Sequence, residues 1–230
     1  MNQLLPFITD ELLNKYTKEV LDKAHTAEAD AEAKLYSNVI DPFSAVFAAT
    51  LHDMTLEEWL VQEKSRQIQK TLENALGDFH QKVLGSMPGW ENAGKGGSYD
   101  IKNETKKIIA EIKNKHNTMN SSSAEAVYQK LAGHLRFSEK DFTAYLVFII
   151  PKPSARYDKE WSPNQRTMTL RDDIRKIDGA SFYDLASGNE NALKMLYDVL
   201  PSVISNIMGT SEPKVKATSA FDQLFKRAYK

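Results

Sequence analysis

The stretch GGSYDIKNETKKIIAEIKNKHNTMNSSSAEAVYQKLA, Gly96 to Ala132, carries the alternation that decides the fold. Within it, Ile108, Ala110 and Ile112 point one way and Ile109, Glu111 and Lys113 the other, the two-residue period of a strand. This predicts one face on a core and Glu111 with Lys113 on the opposite, polar face. Just upstream, Tyr99 and Ile101 fall on one side and Asp100 on the other. Asn103-Glu104-Thr105 reads as a short hairpin loop between the two runs. Paired strands bring opposed side chains to roughly 5 Å, so Asp100 and Glu111 can meet.

The rest of the fold reads outward from this hairpin. Ser122-Ser-Ala-Glu125 has the form of a capping box, opening a helix that buries Val127, Leu131 and Leu135. FTAYLVFII, from Phe142, is a continuous β-forming run suited to an interior strand. Strand, helix, strand implies a right-handed crossover and a parallel pair. Upstream, Thr55 to Glu58 is a second capping box, starting a long helix to about Leu84. Its apolar stripe is Val61, Ile68, Leu72, Ala75, Leu76, Phe79 and Val83. Residues Asp10 to Tyr36 are rich in helix formers, and Asp41-Pro42 starts a short helix. These elements predict an α/β fold: a mixed central β-sheet flanked by helices, with a helical N-terminal part. The 230 residues divide as one domain, with a helical region over 1–54, a core over 55–200 and a helical extension over 201–230.

Composition narrows the function classes. Hydrophobic residues make up 41% of the chain, enough for a sizeable core. With no cysteine, disulfides and thiolate metal sites are excluded. The longest apolar run, YLVFII, is too short to span a bilayer, and the N-terminus lacks a secretory signal. A soluble, cytoplasmic protein without a membrane partner is therefore expected. The net charge of −1 argues against a generic cationic DNA-coating protein. It permits a DNA enzyme, because affinity depends on where cations lie, and they gather at Lys102–Lys115, Lys152–Arg175 and Lys214–Arg227.

Two carboxylates and a lysine on adjacent strands can hold a divalent ion and a water beside a phosphodiester. Mg2+ takes oxygen ligands and keeps several waters, so few protein ligands suffice. Asp100 and Glu111 are the candidate ligands. Lys113 is the candidate that orients or deprotonates the attacking water and stabilises charge on the phosphate. The acidic-x-Lys spacing recurs at Glu32, Glu104 and Glu212, so the pattern alone discriminates poorly. Only the Glu111 copy sits in an apolar, β-branched run behind an aspartate-bearing strand. Without a partner, the same charges suit a solvated edge hairpin.

Together these residues resemble the core of the PD-(D/E)XK nuclease superfamily. AEIKNKHNTMNSS resembles a subgroup of type II restriction endonucleases that cut interrupted palindromes of the GGNCC kind. The similarity continues in LGDFHQKVLGSMPGW (Leu76–Trp90) and IDGASFYDLASG (Ile177–Gly188). One departure is Tyr99, where the motif usually has proline. The resemblance implies a restriction-endonuclease-like fold and Mg2+-dependent, sequence-specific hydrolysis of double-stranded DNA giving 5′-phosphate ends. It also implies a third ligand in the Ile112 carbonyl and an added carboxylate from the preceding helix, for which Glu73 is the candidate. His80 shares that helix face as either a base or a structural hydrogen-bonder.

Lys115, Asn117 and Asn120 follow the active strand, as phosphate or base contacts or as a loop that ends it. Arg156, Asn164 and Arg166 lie in a proline-rich basic segment suited to reading bases, or to an ordinary solvated loop. A palindromic target implies a homodimer. A cognate DNA methyltransferase is expected in the same system, without being a stable partner. Two rival functions remain: a repair or recombination nuclease of the same fold, and a non-catalytic DNA-binding module.

Overall fold

The computed structural model describes residues 3–94, 99–152, 154–164, 168–211 and 213–229. The chain forms two compact units, one over Lys18–Leu76 and one over Met1–Thr17 with Gly77–Lys230.

The first unit is helical. It takes in most of α1 (Asp10–Ala29), α2 (Ala31–Lys34), α3 (Pro42–Leu51) and the first two-thirds of α4 (Leu56–Gly85). Asp41 caps α3 by accepting from the Phe43 N–H at 3.0 Å, and Pro42 takes the first helical position. The predicted box opens α4: the Thr55 N–H donates to Glu58 and the Glu58 N–H to Thr55 Oγ1, at 2.9 and 3.2 Å. Val61 departs from the predicted stripe and is exposed. At that level the helix instead turns Trp59 and Leu60 toward an apolar groove shared with Tyr36, Ile40 and Ala45.

The second unit carries the sheet. Its strands are β1 (Glu91–Asn92), β2 (Ile101–Asn103), β3 (Ile108–Lys115), β4 (Thr143–Ile150), β5 (Asp158–Glu160) and β6 (Ile174–Asp178). Their spatial order is β1-β2-β3-β4-β6-β5. β4 lies between β3 and β6, parallel to both, while the outer pairs are antiparallel. The sheet is thus mixed, with the continuous β-forming run of β4 in its interior, as its sequence predicts.

Helix α5 (Ser121–Phe137) connects β3 to β4. Its start differs from the predicted box. Asn120 is the cap, its Oδ1 accepting from the Ser123 N–H at 2.8 Å while Ser123 Oγ accepts from the Asn120 N–H at 2.9 Å. The hydroxyl of Ser123 thus fills the role expected of Glu125. Val127, Leu131 and Leu135 are buried as expected, against Ile109, Leu146 and Phe148 on one face of the sheet. On the other face, α6 (Gly179–Ser187) packs Phe182 against Tyr145. A Cβ on Gly179 would sit 2.4 Å from the Ile149 carbonyl oxygen, so only glycine lets this helix approach β4. Helices α7 (Ala192–Met208) and α8 (Ala220–Ala228) complete the unit. With helices over both faces, β3 is buried on both sides, Glu111 included, rather than presenting the open polar face predicted for it.

Candidate active site

The site forms where β2 gives way to the chain before it. β2 pairs with β3 from Ile101 opposite Ala110 to Asn103 opposite Ile108. One residue before that ladder, the Asp100 N–H donates to the Ala110 carbonyl at 2.9 Å. The Asp100 carboxylate then accepts the Ile112 N–H at 2.6 Å, taking the place of the next ladder bond. Both backbone groups of a strand residue face the same neighbour, so the Ile112 carbonyl lies on the edge that Asp100 occupies. Tyr99, the residue standing where proline is usual, packs against the α5 core and directs its hydroxyl at Glu139, 3.5 Å away. That anchor fixes the backbone leading into Asp100.

Glu111 is buried and held by two lysines. Lys113, two residues along β3, donates to Oε1 at 2.6 Å, and Lys130 on α5 donates to Oε2 at 2.7 Å. Lys130 was not a sequence candidate. Its signal was its place beside Leu131 on the buried flank of α5, which the strand pattern could not connect to Glu111 before β3 and α5 were packed.

Burial and the neighbouring Glu111 charge push the Asp100 carboxyl up from the ordinary range, against the pull of the Ile112 N–H and the lysines. Burial acts the same way on Glu111, but the hydrogen bonds from Lys113 and Lys130 outweigh it and hold that carboxyl below its usual value. Carboxyls pushed apart by burial and by a specific charge partner are common at functional sites. Among the described residues, no cluster of three or more histidine, aspartate or glutamate side chains could hold a metal. Asp100, Glu111 and the Ile112 carbonyl bring oxygen donors together, the atom type that a largely hydrated ion such as Mg2+ prefers.

Glu73 lies half-buried on α4 within the helical unit. His80 Nδ1 lies 2.8 Å from the Tyr183 hydroxyl, and burial lowers its pKa to about 4, so it is a neutral structural partner. Lys115 ends β3 half-buried, and Asn117 is exposed just beyond it. Asn120 is committed to the α5 cap through its side-chain oxygen. Arg156 pairs with Asp184 on α6 at 2.6 Å. The half-buried Asn164 accepts the Met168 N–H on its carbonyl at 2.8 Å. Arg166 lies outside the described residues.

Comparison with known proteins bears on this geometry. The family model for the Eco47II restriction endonuclease matches residues 5–209. The chain is 42% identical over 214 residues to the type II restriction enzyme Eco47II of Escherichia coli, covering 89% of this chain and 88% of that protein. It is 30% identical over 238 residues to the type II restriction enzyme Sau96I of Staphylococcus aureus, covering 99% and 90%.

Proposed function

The chain belongs to the Eco47II restriction endonuclease family, and on that premise we propose how its residues divide the work of cutting DNA. It is a type II site-specific deoxyribonuclease with a restriction-endonuclease-like fold, its partner is DNA, and its family implies a divalent metal cofactor. The cofactor proposed is Mg2+, and the target a GGNCC-like palindrome in double-stranded DNA, cut by a homodimer to leave 5′-phosphate ends. The enzyme works in the cytoplasm beside a methyltransferase that protects the host's own sites. The observation that carries the assignment is the meeting of Asp100 with Glu111, whose two oxygens are engaged by Lys113 and Lys130.

Asp100 and Glu111 would hold the ion, with the Ile112 carbonyl beside them. When bound, the ion neutralises charge at phosphorus and acidifies water. Lys113 lies on the strand that carries Glu111, so release from Oε1 leaves its ammonium beside the reacting phosphate. There it orients the attacking water and offsets the charge that builds on the phosphate oxygens. Lys130 reaches Glu111 from the helix side and fixes the rotamer of that carboxylate. The half-buried setting of these groups lowers the local dielectric, which strengthens each interaction. Lys115 and Asn117 are proposed as contacts to the DNA backbone, and Arg156, Asn164 and Arg166 as readers of bases.

Digestion of plasmid DNA in Mg2+ tests the reading. Discrete bands whose ends map to one short palindrome are expected, and they vanish in Glu111→Ala. Cuts at branched or damaged structures would favour the repair-nuclease alternative. No cleavage of any duplex would favour a non-catalytic module.

A further inference from the structure

Helix α3 has an unusual surface. From Pro42 to Leu51 it reads PFSAVFAATL, without one charged residue in a chain that is 27% charged. Ala45 and Ala49, one turn apart, face their own unit and are buried. The opposite face carries Phe43, Phe47 and Leu51 at i, i+4 and i+8, and these are 76%, 77% and 79% exposed. A helix apolar on every side belongs in an interior, and here only half of it has one. Tyr36, at 70% exposure, lines a groove with Pro42 and Val46 of this helix, and Val39, at 100%, lies in the segment between Tyr36 and Pro42.

We propose that this face of α3 is the surface through which two copies of the chain associate. The inference rests on the homodimer of the proposed function and adds its location. Area supports it. At ~200 Å2 per aromatic side chain, the three exposed rings alone present ~450 Å2. With Val39, Val46 and Leu51 the surface approaches the ~800 Å2 that each partner gives to a standard interface. Symmetry supports it as well. In a two-fold dimer each patch meets its own copy, so a charge near the axis would face itself, and this helix carries none. Shape gives the third support. Tyr36, Val46 and Leu56 line an apolar groove of about 200 Å3, beside the protruding rings of Phe43 and Phe47. A ring from each copy can enter the groove of the other, the reciprocal contact an isologous interface requires.

Sedimentation velocity on the whole chain tests this, with circular dichroism to verify folding. The wild type is expected at twice the single-chain mass. The double variant Phe43→Glu/Phe47→Glu should retain its helical signal and sediment as a monomer, with dimer affinity at least ~30-fold weaker. Should that variant lose its helical signal, Val39→Asp replaces it, because a fully exposed side chain adds no packing to the monomer. Its expected effect is a weakening of ~5-fold or more. A folded variant that dimerises as tightly as wild type overturns the assignment of the surface and leaves the homodimer standing. A wild type that stays monomeric, free and on a GGNCC duplex, overturns both.

Discussion

Lys130 Nζ on α5 and Lys113 Nζ on β3 grip opposite oxygens of Glu111, at 2.7 and 2.6 Å. One carboxylate thus receives two cations from two different elements. The half-buried ammonium groups are each satisfied through it, and none of the three charges is stranded. The pair also divides labour, since one lysine shares the backbone of Glu111 while the other depends on helix packing.

The two lysines should therefore separate in mutation. Lys113→Ala is expected to lower the single-turnover cleavage rate by about 10²–10⁴-fold with DNA affinity nearly unchanged. Lys130→Met should cost about 10–100-fold and shift the Mg2+ concentration needed for half-maximal rate, as a residue acting through a ligand does. The opposite ranking would give the water-handling role to Lys130.

Asp100 should oppose folding while serving catalysis. Its folded carboxyl titrates above the ordinary value, so the folded state binds a proton more readily than the unfolded chain. Its contribution is destabilising above the ordinary carboxylate pKa of about 4 and fades as pH falls through the raised folded value. Glu111 has the other sign: it stabilises at neutral pH and loses that contribution as pH falls through its lowered folded value. Asp100→Asn is thus expected to abolish cleavage yet raise the melting temperature of the metal-free protein at pH 7. That gain should shrink on acidification. A lower melting temperature at pH 7 would mean that the Ile112 hydrogen bond outweighs the charge.

Asn120 and Asn117 sit three residues apart with different work to do. Asn120→Ala removes the α5 cap and should cost about 1 kcal/mol in chemical denaturation, with Asn120→Ser restoring most of it. Asn117→Ala should leave stability within about 0.5 kcal/mol and weaken DNA binding. Loss of DNA affinity in Asn120→Ser, at restored stability, would return that side chain to the DNA interface.

Arg156 can be separated from its ion pair. The pair with Asp184 is partly exposed, so breaking it should change stability by less than about 1 kcal/mol. If Arg156 reads guanine, Arg156→Ala should lose about 1–3 kcal/mol of discrimination at one base pair, measured as cleavage across near-cognate duplexes. Equal loss on every duplex would make it a phosphate contact.

What was legible in the sequence follows from the range of each interaction. Alternation at Ile108–Lys113 and the apolar run of β4 are local, and they yielded the hairpin, the mixed sheet and the meeting of Asp100 with Glu111. The Thr55–Glu58 box is equally local. Lys130 was invisible because its role exists only once α5 lies on β3. The cap of α5 was misplaced because Asn120 and Ser122 both begin plausible boxes, and only hydroxyl geometry at Ser123 decides between them. The burial of Glu111 was missed for a related reason. Strand periodicity reports which side a residue faces and not what covers that side.

The bond from Ile112 N–H to the Asp100 carboxylate carries a consequence for the cell that makes this enzyme. A nuclease that could cut before it finished folding would threaten its own genome. Here the aspartate serves as the last rung of the ladder between β2 and β3. Slippage of the hairpin by one residue would turn Glu111 to the opposite face and leave Asp100 beside the wrong amide. With Asp100 and Glu111 as the proposed ligands, a chain whose hairpin is out of register would lack the pair that holds the ion, and misfolded copies would be disarmed by the same mispairing that misfolds them.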